Sequence, residues 1–426
     1  MSHTKEGFDE TSLQYVLPIY YKRIFPFDSL CRWLSYGSWH YFEMREFTFV
    51  LQGDRYVRYL SFDNNNEFAQ KVKKKNPIKI DIGAVYNMKP SLIKGKTTFF
   101  PEERELIFDI DLTDYDDIRS CCSGADICRK CWKFMVIACK VLDAALREDF
   151  GFKHLLWIFS GRRGIHCWVC DKAARVLDSE CREAVAGYLV LLEGGAHRSK
   201  KVNLPDEHLH TSIQRALRII DSYFEEDILR GQDIIGTDER LRNFLQIIDD
   251  DIRPHFDEVL SNAKTTVGRW NAFVQQFDYL LQRQQIPKHL RNLKEEIKLQ
   301  YSYPRLDYKV SIGMNHLLKS PFSVHPKTGK ISVPFNQKLV DRFDPISVPT
   351  ITSIMDEVNA YDAKTMEQES SVSDITTEES VVSRNIKDIK KTSLLKPVTI
   401  FNEFVKQLEK EWRKKDTQEY DVAMEF

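Results

Sequence analysis

The sequence predicts an α/β (α+β) body interrupted by a helical insertion. Three observations carry that reading. Short β-branched and aromatic runs alternate with turn signals in the first 180 residues, helical periodicity with charged faces fills residues 175–300, and strand-like sequence returns at 306–310 and 330–334. With 426 residues, 42% of them hydrophobic, the chain has material for two or three folding units and a large core, which excludes a wholly disordered protein. A net charge of −1 argues against a histone-like basic binder and against an acidic solvating chain.

Taken in order, a helix-like stretch at Leu13–Arg23 precedes two β-rich runs, 47–51 and 56–60, whose Gln-Gly-Asp-Arg connection reads as a hairpin. A lysine-rich segment, Lys71-Val72-Lys73-Lys74-Lys75, leads to a short strand at 79–82. Residues 105–112 (ELIFDIDL) read as a buried strand, and 131–148 as an amphipathic helix with Trp132, Met135, Val136, Cys139, Leu142 and Leu146 on one face. A strand (154–159), a turn (160–164) and a returning strand (165–169) follow. The organisation expected is a first core segment over 1–180, a helical subdomain over 181–300, and the rest of the core over 301–350. Residues 351–390, with nine acids, four bases and many Ser and Thr, are expected as a disordered linker, and 391–426 as an amphipathic helix, a candidate docking element, with a tail.

The N-terminus lacks a signal-peptide layout and no apolar run approaches the ~20 residues of a spanning helix. A soluble intracellular protein with no membrane partner is expected, its nine cysteines reduced or metal-bound. Cys121, Cys122, Cys128 and Cys131 place four thiolates within eleven residues, the ligand count of a closed structural Zn²⁺ site. Cys31, Cys139, Cys167, Cys170 and Cys181 read as packed free thiols.

Asp109 and Asp111, two apart in a strand, share a face among apolar neighbours. Two carboxylates so close repel unless a cation compensates, and hard oxygen donors favour Mg²⁺ or Mn²⁺; a solvated strand end is the other reading, and the spacing alone does not choose. Asp307, expected in a strand at 306–310, is the candidate third carboxylate. The turn Ser160-Gly161-Arg162-Arg163-Gly164 followed by His166 offers backbone N–H groups and guanidinium forks suited to a phosphate chain. A second cluster, His316, Lys319, His325 and Lys327, has no acid in its segment and suits an anion. The lysine run at 71–75 and a basic loop at 194–201 read as solvated faces or as tracks for a phosphate backbone.

Together these segments resemble one family, the small catalytic subunit of eukaryotic and archaeal-type DNA primase, and the eukaryotic branch in particular. The resemblance lies in KIDIGAVY (79–86), ELIFDIDLTDYDDIR (105–119), the cysteine cluster, FSGRRGIHCWVCD (159–171) and YPRLDYKVS through GMNHLLKSPFSVHPKTGKISVP (303–334), and covers residues 1–350. It implies a mixed-sheet α/β catalytic core with a smaller helical subdomain. It implies Asp109, Asp111 and Asp307 as carboxylates for two Mg²⁺ or Mn²⁺ ions, and the four clustered cysteines as ligands of a structural Zn²⁺. Ser160, Arg162, Arg163, His166, Lys319 and His325 would hold the nucleotide triphosphate, with His316, Arg58 and Lys79 lining the pocket and Asp81 near the ribose. The activity implied is DNA-directed RNA polymerisation: short RNA primers made de novo from ribonucleoside triphosphates on a single-stranded DNA template by two-metal nucleotidyl transfer. The partners implied are a primase large subunit bearing an iron–sulfur cluster and the DNA polymerase alpha complex, in the nucleus. Two other readings remain at this point: a zinc-stabilised nucleic-acid-binding subunit without catalysis, and a primase-polymerase that prefers deoxynucleotides.

Overall fold

The computed structural model describes residues 8–193, 198–371 and 387–424. Two sheets organise the chain. The first runs β2-β1-β3-β4, from β1 (Arg45–Leu51), β2 (Arg55–Leu60), β3 (Lys79–Tyr86) and β4 (Pro101–Glu103), with β8 (Leu318–Lys319) also on β3. The second runs β5-β7-β6-β9, from β5 (Leu106–Asp111), β6 (Leu155–Phe159), β7 (Gly164–Val169) and β9 (Val333–Pro334). All the ladders between these strands are antiparallel, so the class is α+β. The expected hairpin is β1–β2, and the strand–turn–strand is β6–β7.

Sequence period explains the elements. β6 and β7 are buried along their whole length and read as continuous apolar runs, as strands covered on both faces do. The Trp132–Glu148 helix buries the apolar face read from the sequence, from Trp132 to Leu146. Residues 179–302 are mainly helical, and their buried side chains join the same continuous apolar cluster as the sheets.

Four expectations need correction. Residues 306–310 do not form a strand: Asp307 is the N-cap of a short helix, Tyr308–Ile312, accepting hydrogen bonds from the N–H groups of Lys309 (3.1 Å) and Val310 (3.4 Å). A capping carboxylate ahead of a β-branched residue satisfies orphan helix donors, and that local gain wins over strand propensity. The segment expected as a linker begins with a helix, Ile351–Ser371, because Ile351, Ile354 and Val358 bury one face; residues 372–386 lie outside the described residues. Cys181 is exposed, whereas Cys31, Cys139, Cys167 and Cys170 are packed as expected. The basic loop at 194–201 is partly spent within the protein, Lys200 on Glu296 (2.8 Å) and Lys201 on Asp117 (2.7 Å), and residues 194–197 lie outside the described residues.

The expected C-terminal amphipathic helix is present as Leu395–Met424. It docks on its own chain: Phe401 meets Trp33 and Phe322 edge-on, Trp412 meets Tyr36, and Glu409 pairs with Arg32 at 2.7 Å. No helix among the described residues is long and apolar enough to cross a membrane.

Candidate functional site

β5 and β7 pair in the register Asp109↔His166 and Asp111↔Gly164, so strand geometry brings the two aspartates onto the phosphate-type turn. Gly164 is required there: a Cβ at this position would stand 2.5 Å from the Ile110 carbonyl oxygen. The turn closes on itself through Ser160 N–H to the Gly164 carbonyl (2.9 Å) and Gly164 N–H to Ser160 Oγ (3.1 Å), with Gly161 at φ +88°. Asp307 arrives from a distant part of the chain by donating its N–H to the Asp109 carbonyl (3.0 Å).

These strands open into a cavity of about 440 Å³. Lys79, Asp81, Asp109, Asp111, Ser160, Arg162, Arg163, His166, His316, Lys319 and His325, all singled out from sequence, line it. Arg58 does not. Its guanidinium is held by the buried Glu46 carboxylate at 3.0 and 3.2 Å. Asp307 is outside the lining too and reaches the site through its backbone bond to Asp109 and its charge.

The cavity has an acidic and a basic end. Burial, then repulsion from Asp111, Asp307 and Asp114, pushes the Asp109 carboxyl up to about 7. His166 lies 3.5 Å away. Arg163 holds Asp111 at 2.7 Å. At the basic end, β8 pairs Lys319 opposite Asp81, and the Lys319 ammonium donates to the Ser160 carbonyl. Burial and the neighbouring Lys79 push Lys319 down to about 7 against the pull of Asp81 and Asp109. Burial and the cations Lys319, Arg162, Lys79 and Arg163 push His325 down to about 3, and burial with Lys319 does the same to His166. Both imidazoles are therefore neutral near pH 7. Thr328 Oγ1 bonds the Gly161 carbonyl at 2.8 Å and ties the second cluster to the turn. Asp81 pairs with Lys79 through one oxygen (2.9 Å), while its other oxygen is buried without a partner.

Sequence reasoning missed three residues. Asp114 is a further acid whose carboxyl is raised by burial and by Asp111 and Asp307; the acid run DIDLTDYDD carried the signal. Tyr56, 59% exposed on β2, lines the cavity mouth with Lys79 over its ring at 5.6 Å. Arg104, fully buried, donates to the Val310 and Gly313 carbonyls and so anchors the helix that Asp307 caps to the strand leading into β5. No local pattern announces that contact.

The aspartates fit a divalent cation chemically. Their donors are hard oxygens, and burial together with the neighbouring acids raises the Asp109 carboxyl, a cost that a cation would relieve. They are less tightly gathered than the cysteines, since Arg163 draws Asp111 and the helix N-terminus draws Asp307. The sulfurs of Cys121, Cys122, Cys128 and Cys131 all lie within 4.8 Å of one another, the one such ligand set among the described residues, and fit a tetrahedral Zn²⁺. Arg119 braces their loop through the Gly124 and Asp126 carbonyls, and Ser120 bonds Gln232.

Comparison with known proteins bears on this geometry. The family model for the DNA primase small subunit matches residues 108–337, which hold the three aspartates, the cysteine set and the phosphate-type turn. The chain is 44% identical over 421 residues to the DNA primase small subunit of Drosophila melanogaster, covering 95% of this chain and 93% of that one. It is 39% identical to that of Schizosaccharomyces pombe, covering 82% and 78%, and 35% identical to that of Saccharomyces cerevisiae, covering 80% and 84%.

Proposed function

The chain belongs to the DNA primase small-subunit family, a nucleotidyltransferase family with RNA primer synthesis as its general function, and we propose that it joins ribonucleotides de novo on single-stranded DNA at the 440 Å³ cavity. One observation carries this: Asp109 and Asp111 at one end of the cavity face Lys79, Arg162 and Lys319 at the other, the polarity that a metal–triphosphate complex requires.

Divalent ions held by Asp109, Asp111 and Asp307 would neutralise the triphosphate and lower the pKa of the attacking 3′-hydroxyl, as in two-metal nucleotidyl transfer. The side chains do the positioning. Arg162, Arg163 and Lys319 surround the place of the phosphates, and the Ser160–Gly164 turn presents its backbone to them. His166 and His325, neutral near pH 7, offer ring N–H groups without adding charge. The unpartnered oxygen of Asp81 would accept a ribose hydroxyl, a contact that penalises a sugar lacking it. Arg163 would exchange Asp111 for phosphate as nucleotide enters.

Family membership brings a partner subunit and DNA with it. We assign the iron–sulfur cluster to the large subunit, because the described residues offer one four-thiol set and no second one. Association with the polymerase alpha complex and a nuclear location complete the proposal.

The test is unprimed synthesis on a homopolymer DNA template with the complementary nucleotide and Mg²⁺ or Mn²⁺. Short RNA products are expected, and Asp111→Ala is expected to fall below about a hundredth of the parent rate, since outer-shell changes alone cost 10–100-fold, with zinc content unchanged. Appreciable synthesis by that variant removes the metal role. Preferential use of deoxynucleotides removes the role given to Asp81.

A further inference from the structure

A second cavity, about 1120 Å³, lies between the N-terminal helices and the C-terminal helix. Eight lysines and arginines line it against two aspartates, in a chain whose net charge is −1. Three of the cations are occupied: Arg23 and Lys391 share Asp362 and Asp388, and Arg32 pairs with Glu409. The other five, Lys22, Lys73, Lys387, Lys390 and Lys406, are exposed and make no ion pair among the described residues. Like charges on facing walls repel, and a polyanion between them removes that cost.

Two features distinguish which polyanion. A protein partner would bury aromatic or aliphatic anchors at the centre of its contact, yet Phe25 and Phe27 in these walls are already 6% and 9% exposed, spent on the core; Leu395 alone stands out at 41%. What the walls offer beside the lysines is polar: Asn65, Asn66, Thr399 and Asn402. A cationic, polar surface of this kind matches nucleic acid. The positive charge also continues. The Asn65–Lys75 helix that supplies Lys73 presents Lys71, Lys74 and Lys75 to solvent, and its exit leads to Lys79, which lines the catalytic cavity.

We propose that this groove binds the phosphate backbone of single-stranded nucleic acid outside the catalytic cavity, holding template beyond the point of synthesis. The proposal rests on the template-directed reading above. It is tested in the full chain with the combined variant Lys22→Gln, Lys390→Gln and Lys406→Gln and a labelled oligothymidylate. Affinity should fall, and the slope of log K against log salt should shrink by about 2, at roughly 0.7 per lost phosphate contact on a single strand, with affinity for free nucleoside triphosphate unchanged. The corresponding lysine-to-arginine variant should keep the parent slope, which separates charge from folding. An unchanged slope and affinity overturns the groove. So does loss of poly-glutamate binding with oligothymidylate binding retained, which marks an acidic-peptide site. If the parent chain makes no primer, the polymerase reading fails by itself, and the salt slope still judges the groove.

Discussion

Lys319 and Asp109 are opposite in charge, interact with each other, and are each pushed to about 7, one from above and one from below. A lysine lowered from 10.5 leaves the folded chain binding fewer protons than the unfolded one between about 7 and 10.5, so its contribution to stability grows as pH rises through that window. Nucleotide binding runs the opposite way. A triphosphate favours the ammonium form, so above pH 7 binding must take up a proton, and affinity should drop by up to about tenfold per pH unit. Calorimetry of nucleotide binding without divalent ions, in buffers of different ionisation enthalpy, measures that uptake. Lys319→Arg should flatten the dependence, because a guanidinium keeps its proton throughout; a pH-independent affinity in the parent chain rules Lys319 out as the titrating group.

At the scale of elements, the C-terminal helix acts on the second phosphate-type cluster through one aromatic contact. Phe322 lies between Lys319 and His325 with φ at +65°, a backbone state that a bulky residue adopts only under constraint. Its carbonyl accepts from Tyr20 Oη (2.9 Å), and its ring is capped by Phe401. Phe401→Ala should cost about 3–5 kcal/mol of stability in denaturant titration. It should also raise KM for nucleotide several-fold with less effect on kcat, because the loop carrying Lys319 and His325 loses its backing; unchanged KM would show that the loop holds itself.

This coupling was not legible in the sequence, where the apolar face of residues 394–412 announced a docking helix but not what it docks on. The strands and the amphipathic helix were readable because each carries its own period. Asp109, Asp111 and the Ser160–Gly164 turn were readable because adjacent strands bring them together. Asp307 meets Asp109 through its backbone, but the helix it caps was not legible, since a cap on five residues leaves no periodicity. The pairing of Arg58 with Glu46 and the contacts of Arg104 were hidden, because only tertiary packing reveals them. Ile351–Ser371 read as a linker because its charged and hydroxyl residues outnumber the few apolar ones that fasten it.

Across the whole molecule, the cysteine-cluster loop and the β5-β7-β6-β9 sheet share one core. The loop leads into the Trp132–Glu148 helix, whose Trp132 packs on Phe159 of β6. One zinc per chain is expected by elemental analysis, and none in Cys122→Ala. Chelation should lower the unfolding temperature by several degrees, while Cys139→Ser, altering a thiol packed away from the cluster, should keep the metal. The near-zero net charge is also a property of the whole: residues 351–390 carry −5 and 391–426 are neutral, leaving +4 on 1–350.

The docked C-terminal helix has a further consequence for how the chain is made. Trp33 is synthesised 368 residues before Phe401, which closes over it. At ribosomal speeds of about 5–20 residues per second, the N-terminal aromatic surface waits tens of seconds for its cover. A ribosome that stops just short of Leu394 would release a chain that holds every residue lining the 440 Å³ cavity but lacks Phe401. Loss of Phe401 by such an early stop is expected to leave Trp33 and Phe322 uncovered.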